Sequence, residues 1–486
     1  MLHIGEYMTR AVPKYEALRN RIVSDIREGI YKTNDRIPSD TELMASFSVS
    51  KSTVTQALKS LEAAGYVTRK QGKGTFVLER TERESIRMMV CPSNDMEASF
   101  WQDFCSRYNR SSEGPHLAIE FISNELVPLR DTLTKAFAGG EAPDIISIDG
   151  PDMPYWAYMN AIIPLDDFIS DDLRDALFPS IIRQGTFNDR LYHLGYYESS
   201  LCLLYSKQKF SRLSLPVPSY EEGWTWDEFL GICRKAKETG GMDVPLLMDS
   251  GWGLSSRQGE WLSYFLISIL AQDDAGCLDE GSHARGALDS PAAIKALDFA
   301  ASLFRSGYSH INDRRELFPN DMLMSVSESR AYFALPDSVK DEIGILPLPH
   351  MKRKAAAHGG WGLCISKQSK KPAESWDVIR SFFSIENQLK LFKVVGMPAR
   401  KDVYGICRDF KAINHDHETL FRQLSECSVT RPQTPAYPFI SKMIGHALIE
   451  AANGADPGIV LNIAARQIDD NFYRHSYYPV FDGQEN

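Results

Sequence analysis

The 486 residues predict an α/β protein with a small α+β domain at its N-terminus. Three observations carry this reading. Apolar residues recur at helical spacing in three segments between Pro13 and Leu61, and two short strand-like runs around a glycine turn follow them. From Ile86 onward strand-like and helical patterns alternate, the order of an open parallel sheet. Charge is shared unevenly: residues 12–80 carry twelve Lys and Arg against eight Asp and Glu, whereas 81–486 carry 41 against 55. The overall charge of −10 therefore averages a basic segment with an acidic one and does not exclude a nucleic-acid partner. With 43% hydrophobic and 24% charged residues the chain is globular in composition, which excludes a disordered or fibrous protein.

In the first segment Tyr15, Leu18, Ile22 and Ile26 make one apolar helical face. Ser39 and Glu42 have the spacing of a capping box, and a short helix with Leu43 and Phe47 directed inward is expected after them. Ser50 can cap a third helix whose buried stripe is Val54, Ala57, Leu58 and Leu61; Lys51, Thr53, Thr55, Gln56 and Lys59 are left outward. Gly65 is placed to end that helix, since glycine accepts the left-handed terminal conformation. Tyr66–Lys70 and Thr75–Leu78 read as strands joined by Gln71-Gly72-Lys73-Gly74. Three helices and a basic hairpin describe a winged helix-turn-helix. Its third helix suits a major groove, and the hairpin tip can reach phosphates or the minor groove.

The matching text is Pro13-Lys14-Tyr15, Asp35-Arg36-Ile37-Pro38-Ser39, Val49-Ser50-Lys51-Ser52-Thr53-Val54, Ala57-Leu58 and Gln71-Gly72-Lys73-Gly74-Thr75-Phe76-Val77. On it, residues 12–80 resemble the GntR family of bacterial transcription regulators. The resemblance implies double-stranded operator DNA as partner. It also implies a reading surface of Arg36, Ser39, Thr41, Ser50, Lys51, Ser52, Thr53, Thr55, Gln56, Gln71, Gly72, Lys73 and Gly74. The family usually carries base- or phosphate-contacting arginines where this chain has Thr41, Lys51 and Thr55. Lysine lacks the bidentate fork of arginine, so the operator sequence does not carry over from relatives. The competing reading is an ancillary winged helix used for protein contacts.

A short charged link, residues 81–85, leads into the second pattern. Ile86–Val90, Leu117–Ile122 and Asp144–Ile148 are strand-like. Between them lie a helix with Trp101, Phe104, Cys105 and Tyr108 on one face and another with Leu126, Leu129, Leu133 and Phe137. Ligands of such sheets bind beyond the carboxyl ends of the strands. Pro92-Ser93-Asn94-Asp95 and Asp149-Gly150-Pro151-Asp152 are thereby placed at a cleft mouth.

Further motifs follow in order: Ala142-Pro143-Asp144-Ile145-Ile146, Ile163-Pro164-Leu165-Asp166, Leu191-Tyr192-His193-Leu194-Gly195-Tyr196-Tyr197-Glu198-Ser199-Ser200, Leu204-Tyr205-Ser206-Lys207, and Leu215-Pro216-Val217-Pro218 with Thr225-Trp226-Asp227-Glu228-Phe229. Then come His358-Gly359-Gly360-Trp361-Gly362-Leu363, Gly396-Met397-Pro398-Ala399-Arg400 and Pro435-Ala436-Tyr437-Pro438. Together they resemble the sugar-capturing extracellular solute-binding proteins of the maltose-binding type over roughly residues 85–465. The resemblance implies a two-lobed, type II periplasmic-binding-protein-like fold over 86–486 and a small polar ligand, a sugar or oligosaccharide. Aromatic faces stack on pyranose C–H faces while carboxylates and amides bond hydroxyls. Trp361 is the foremost stacking candidate; Asn94, Asp95, Asp149, Trp156, Glu198, Trp252, Arg400 and Tyr437 sit in cleft-facing segments. A Trp after Gly-Gly also suits a hinge core, and Tyr437 between prolines also suits a turn brace; about half of these residues are expected to touch ligand.

No apolar run opens the chain, and the most apolar stretch, Trp261–Ala271, falls short of the roughly 20 residues that span a bilayer. A cytoplasmic protein without membrane association is expected. The eight cysteines include no C-x-x-C and read as reduced core thiols. His415-Asp416-His417 reads as solvated surface rather than a metal site, and metalloprotease, P-loop and nucleophile-elbow motifs are absent. Neither catalytic residues, metal nor cofactor are expected. The function implied is a homodimeric, ligand-controlled transcription regulator, a repressor of sugar uptake or utilisation genes. The alternative is a GntR-type regulator with a pyridoxal-phosphate-binding, aminotransferase-like domain. It lacks a lysine in a convincing cofactor segment, since Ser206-Lys207 falls inside the solute-binding pattern.

Overall fold

The computed structural model describes residues 14–27, 30–63, 66–70, 73–78, 85–112, 114–122, 129–248, 258–280, 282–311, 323–333, 335–409 and 413–475. Gly65, Leu126 and the link at 81–84 lie outside them. The chain divides into two compact units, Met1–Ile86 with Gln102–Ala118, and Arg87–Trp101 with Ile119–Asn486.

The N-terminal domain packs α1 (Lys14–Arg27), α2 (Asp40–Phe47) and α3 (Lys51–Ala63) over the hairpin β1 (Val67–Lys70) and β2 (Gly74–Val77). The apolar stripes read from the sequence converge: Leu18, Ile22, Ile37, Leu43, Val54, Leu58, Leu61, Val67 and Val77 form one buried cluster. Each such side chain contributes about 1.5–3 kcal/mol on burial. Phe47 does not join it and is 38% exposed. Ser48 turns into the left-handed region (φ 49°) directly after it and ends the helix, so Leu43 alone is buried on this short element. The capping box forms as expected: Glu42 N–H donates to Ser39 Oγ at 3.3 Å, and Ser39 N–H donates to Glu42 Oε2 at 2.7 Å. β1 and β2 pair antiparallel from Val67↔Val77 to Lys70↔Gly74. The segment before α2 adds to the hairpin, with Asn34 N–H donating to Val77 O and Ile37 N–H to Thr75 O.

Past residue 84 the chain forms two sheets in a mixed α/β arrangement. The first is built on β3 (Ser85–Val90), α4 (Asp95–Ser111), β4 (His116–Phe121), α5 (Leu129–Ala138) and β5 (Ile145–Asp149), in the alternation the sequence predicts. Its order is β4, β3, β5, then the strands Trp361–Ile365 and Leu194–Gly195. β3 and β5 are parallel, but Trp361–Ile365 runs antiparallel to β5, so the sheet is mixed. The second sheet is ordered Leu246–Met248, Met324–Glu328, Leu201–Ser206, Ile343–Leu346. The chain passes from the first sheet to the second through Tyr196–Ser200 and returns between Leu346 and Trp361. The second crossing carries a parallel pair, Ala356–His358 with Ser428–Thr430. Main-chain bonds tie the crossings together: Gly359 N–H donates to Ser199 O, and Tyr196 N–H to Trp361 O. Trp101 stacks on Phe382 at 4.6 Å with Tyr196 edge-on to both. All eight cysteines are free thiols. No described helix is long and apolar enough to cross a membrane.

Candidate functional site

In the N-terminal domain α3 buries Val54, Ala57, Leu58 and Leu61, and turns Lys51, Ser52, Gln56 and Lys59 to solvent with Thr53 and Thr55 half-buried beside them. Its first turn carries no acidic residue, which leaves the exposed face able to approach phosphates. Ser50 Oγ accepts from Thr53 N–H at 3.3 Å and lies 2.8 Å from both Ser52 Oγ and Thr53 Oγ1, so it caps α3 as Ser39 caps α2. Thr41 and Lys73 are exposed. Gly74 has φ +113°, and a Cβ there would stand 2.6 Å from Arg36 Nε; the exposed Arg36 side chain lies against the hairpin where only glycine fits. Gln71 and Gly72 lie outside the described residues. Sequence reading missed Arg69, whose Nη2 lies 2.7 Å from both Asp40 carboxylate oxygens and fixes the hairpin to the start of α2.

In the second unit charged and aromatic side chains meet where the two sheets are joined. Asp149, the last residue of β5, lies 3.2 Å from Arg431 Nη2. The Arg431 guanidinium stands 4.6 Å from the Tyr264 ring centroid and 5.9 Å from that of Tyr437. Arg431 is 8% exposed; burial opposes its charge, while Asp149, Tyr437, Tyr264 and Glu328 together hold its pKa above the ordinary value. Gln184 completes this group. Both of its amide atoms are buried without a hydrogen-bond partner, and a Cβ at Gly359 would run into Gln184 Nε2 and Arg431 Nη2. An orphaned amide beside a buried guanidinium is a polar surface waiting for a complement.

A second cluster adjoins it. Glu97, in the first turn of α4, accepts from Ser93 N–H at 3.0 Å and Ser93 Oγ at 2.5 Å, and lies 3.6 Å from Arg330. Arg330 also pairs with Glu328 at 3.6 Å and stands 5.5 Å over the Tyr197 ring. Burial raises the Glu328 pKa, against the opposing pull of Arg330 and Arg431, so this carboxylate senses both clusters. Glu198 Oε2 lies 3.4 Å from His358 Nδ1, and His358 Nε2 is 3.1 Å from Thr430 Oγ1.

The predicted ligand residues fall in several settings. Asp149, Glu198 and Tyr437 belong to these groups. Trp361 is buried at the start of its strand, paired in register with Asp149. Asn94 caps α4, accepting from Glu97 N–H at 2.9 Å, and Asp95 is exposed beside it. Trp156 is buried against Phe137 and Tyr155. Arg400 pairs with Asp402 at 2.6 Å and donates to Phe383 O. Trp252 lies outside the described residues. Arg431, Tyr264, Gln184, Glu97, Glu328 and Arg330 were not singled out, because the pairs that gather them, Asp149 with Arg431 and Glu97 with Arg330, join distant parts of the chain.

Of His415-Asp416-His417, only His415 is exposed; the other two are not solvated surface. Asp416 is buried, accepting from Tyr332 OH at 2.9 Å and Ile345 N–H at 3.0 Å. Its neighbour His417 stacks on Phe392 at 5.5 Å, and burial lowers its pKa to about 4. Among the described residues no group of His, Cys, Asp or Glu is arranged to hold a metal ion.

These features define a protein with a winged helix-turn-helix joined to a two-lobed solute-binding module. Residues 93–389 match the bacterial extracellular solute-binding proteins, and the chain belongs to that family. Residues 14–77 match the bacterial regulatory proteins of the gntR family, so the N-terminal domain is a GntR-type helix-turn-helix. The solute-binding match occupies the segment in which the alternative reading needed an aminotransferase-like domain, and that alternative is not favoured. Among curated relatives, the chain is 43% identical over 67 residues to the histidine utilization repressor of Klebsiella aerogenes, covering 14% of this chain and 28% of that one. It is 42% identical over 72 residues to the arabinose metabolism transcriptional repressor of Halalkalibacterium halodurans, covering 15% and 19%. The chain thus spans less than a third of the first curated relatives, through the DNA-binding segment. Among solved structures it resembles an ABC transporter solute binding protein from Thermotoga lettingae bound with alpha-D-tagatose (TM-score 0.67, 20% identity, 79% of this chain and 99% of that one). It also resembles the cyclic alpha-maltosyl-1,6-maltose binding protein from Arthrobacter globiformis (TM-score 0.68, 19% identity, 80% and 99%). At these identities the likeness establishes the fold.

Proposed function

We propose that this protein is a cytoplasmic, DNA-binding transcription regulator controlled by a small polyhydroxylated ligand, a sugar or oligosaccharide, held where the two lobes join. The observation that carries the ligand half is the half-exposed Asp149 set against the buried Arg431, Tyr264 and the orphaned amide of Gln184. Carboxylate and amide oxygens accept from sugar hydroxyls, guanidinium and amide N–H groups donate to them, and aromatic faces cover C–H faces. The DNA half rests on the exposed Lys51, Ser52, Gln56 and Lys59 of α3 and on Lys73 of the hairpin. The known relatives agree with a repressor of utilisation genes: one is an arabinose metabolism transcriptional repressor, and one structural neighbour is bound with alpha-D-tagatose. A homodimer would set two recognition helices on the half-sites of a palindromic operator. Ligand then acts through its different affinities for the DNA-competent and DNA-incompetent states.

Two assays test this reading. A thermal-shift screen of the purified protein against mono- and oligosaccharides should find a sugar that stabilises it by about 2.7 kcal/mol at 100 times Kd. Gel shifts at physiological salt on DNA upstream of neighbouring sugar-transport or glycosidase genes should give a sequence-specific complex. Absence of any specific complex removes the regulator reading; absence of any stabilising sugar removes the ligand class.

A further inference from the structure

A cavity of about 430 Å³ opens among three helices of the second unit, and of the predicted ligand residues only Glu198 borders it. One wall is the start of helix Pro179–Gly185. The others are helices Lys401–Asp409 and His415–Glu426. Its body is aromatic: Tyr404 and Phe421 stack at 4.1 Å with rings 12° apart, and Phe178 stands edge-on to both. Arg183, Lys401 and Arg408 also line it, and all three are exposed, which puts them at its rim. Among the described residues Arg183 and Lys401 have no carboxylate within ion-pair distance, and Arg408 has only Asp409 at 3.9 Å.

The inner wall differs in chemistry. Glu198 is 1% exposed; Oε2 faces His358, while Oε1 is buried with no hydrogen-bond partner. A buried carboxylate oxygen without a donor is costly unless something supplies one. The cavity thus carries positive charge at its rim, flat aromatic surface along its wall and an unfilled acceptor within.

We propose that this cavity is a second binding site, for an organic anion with a flat, two-ring apolar body and a hydrogen-bond donor set away from its charge. The anion sits among Arg183, Lys401 and Arg408, the ring system lies along Tyr404 and Phe421, and the donor reaches Glu198 Oε1. The carboxylate enforces this polarity, because it repels an anion placed deep. Helix Pro179–Gly185 packs on strand Leu194–Gly195 of the first sheet, and helix His415–Glu426 on strand Ile343–Leu346 of the second. An occupant therefore touches elements of both lobes. The proposal does not depend on a sugar in the neighbouring site.

6-Anilinonaphthalene-2-sulfonate has this pattern: a fused two-ring body with the sulfonate at one end and the N–H, bearing a phenyl ring, at the other. N-phenyl-2-naphthylamine is its neutral counterpart. Fluorescence titration of the full chain should give tighter binding of the sulfonate than of the neutral probe. The double variant K401E/R408E, at two exposed positions, should weaken the sulfonate at least tenfold and leave the neutral probe within twofold. Gly405 lines the cavity and a Cβ there meets open space, so Gly405→Leu has room to start a side chain that occupies the site. It should abolish both probes, and Gly405→Ala should not. Undiminished sulfonate binding in Gly405→Leu, or equal sulfonate binding in K401E/R408E and the parent, overturns the proposal.

Discussion

Arg431 lies 3.2 Å from Asp149 and 4.6 Å over the ring of Tyr264, joining positions 282 residues apart in sequence. The arginine side chain is only 10% exposed and Asp149 a third exposed, so the pair is partly desolvated and its geometry is fixed from two sides. Removing one partner of such a pair costs more than the pair is worth in water, because the other is left without its complement.

Arg431→Ala should therefore lower the stability of the second unit by on the order of 2 kcal/mol in urea unfolding, and should abolish the sugar-induced thermal shift. Arg431→Lys should recover much of the stability but not the sugar response, since an ammonium restores charge without the planar fork or the stacking surface. A lysine variant with full sugar response would show that charge alone suffices there.

The DNA face gives a separate expectation. Lys51→Ala and Lys73→Ala should weaken operator and non-specific DNA alike, each reducing the slope of log affinity against log salt by about 1. Gln56→Ala should instead alter preference among operator variants. If Lys51→Ala changes sequence preference with no change in salt slope, Lys51 reads a base and not a phosphate.

How far the sequence was legible follows from where the partners lie. The Ser39–Glu42 capping box and the stripe of Val54, Ala57, Leu58 and Leu61 are local patterns. Their geometry needs only neighbouring residues, and the structure places them as read. Phe47 sits four residues after Leu43 and was read inward by the same rule, but Ser48 ends the helix beside it. In the second unit the strand order from β3 to β5 was local and legible; the antiparallel insertion of Trp361–Ile365 beside β5 was not. Arg431 and Arg330 left little signal, since neither falls in a periodic motif and the carboxylates that draw them into the site, Asp149 and Glu97, come from distant strands and helices. The one local clue was Arg431's position shortly before the Pro435-Ala436-Tyr437-Pro438 motif.

Gly74→Ala should destabilise the N-terminal domain by about 1–2 kcal/mol. A φ of +113° is strained for any L side chain, and the new Cβ meets Arg36 Nε at 2.6 Å. The measure is the domain's thermal midpoint. An unchanged midpoint would mean that the hairpin relaxes freely at its tip.

His193 supplies a pH dependence. It is fully buried, with Nε2 3.3 Å from Ile148 O, and burial lowers its pKa from 6.5 to about 4. In the unfolded chain it takes up its proton near pH 6.5, so between about 6.5 and 4 the unfolded state binds more protons. Stability from this group is complete above that window and falls as pH drops through it, by up to about 1.4 kcal/mol per pH unit. Comparing urea midpoints of the parent and His193→Gln between pH 7 and 4.5 should show a shallower dependence in the variant. Equal slopes would show that His193 is protonated inside the fold.

The coupling of the two modules is tested most directly by fluorescence anisotropy of labelled operator DNA, with and without the sugar found by thermal shift. Saturating sugar should change operator affinity by roughly 5- to 150-fold. Trp361→Ala, beside Asp149 in the first sheet, should erase that change while leaving sugar-free operator affinity as in the parent. Operator binding that is identical in sugar-saturated and sugar-free protein would contradict a ligand-controlled regulator.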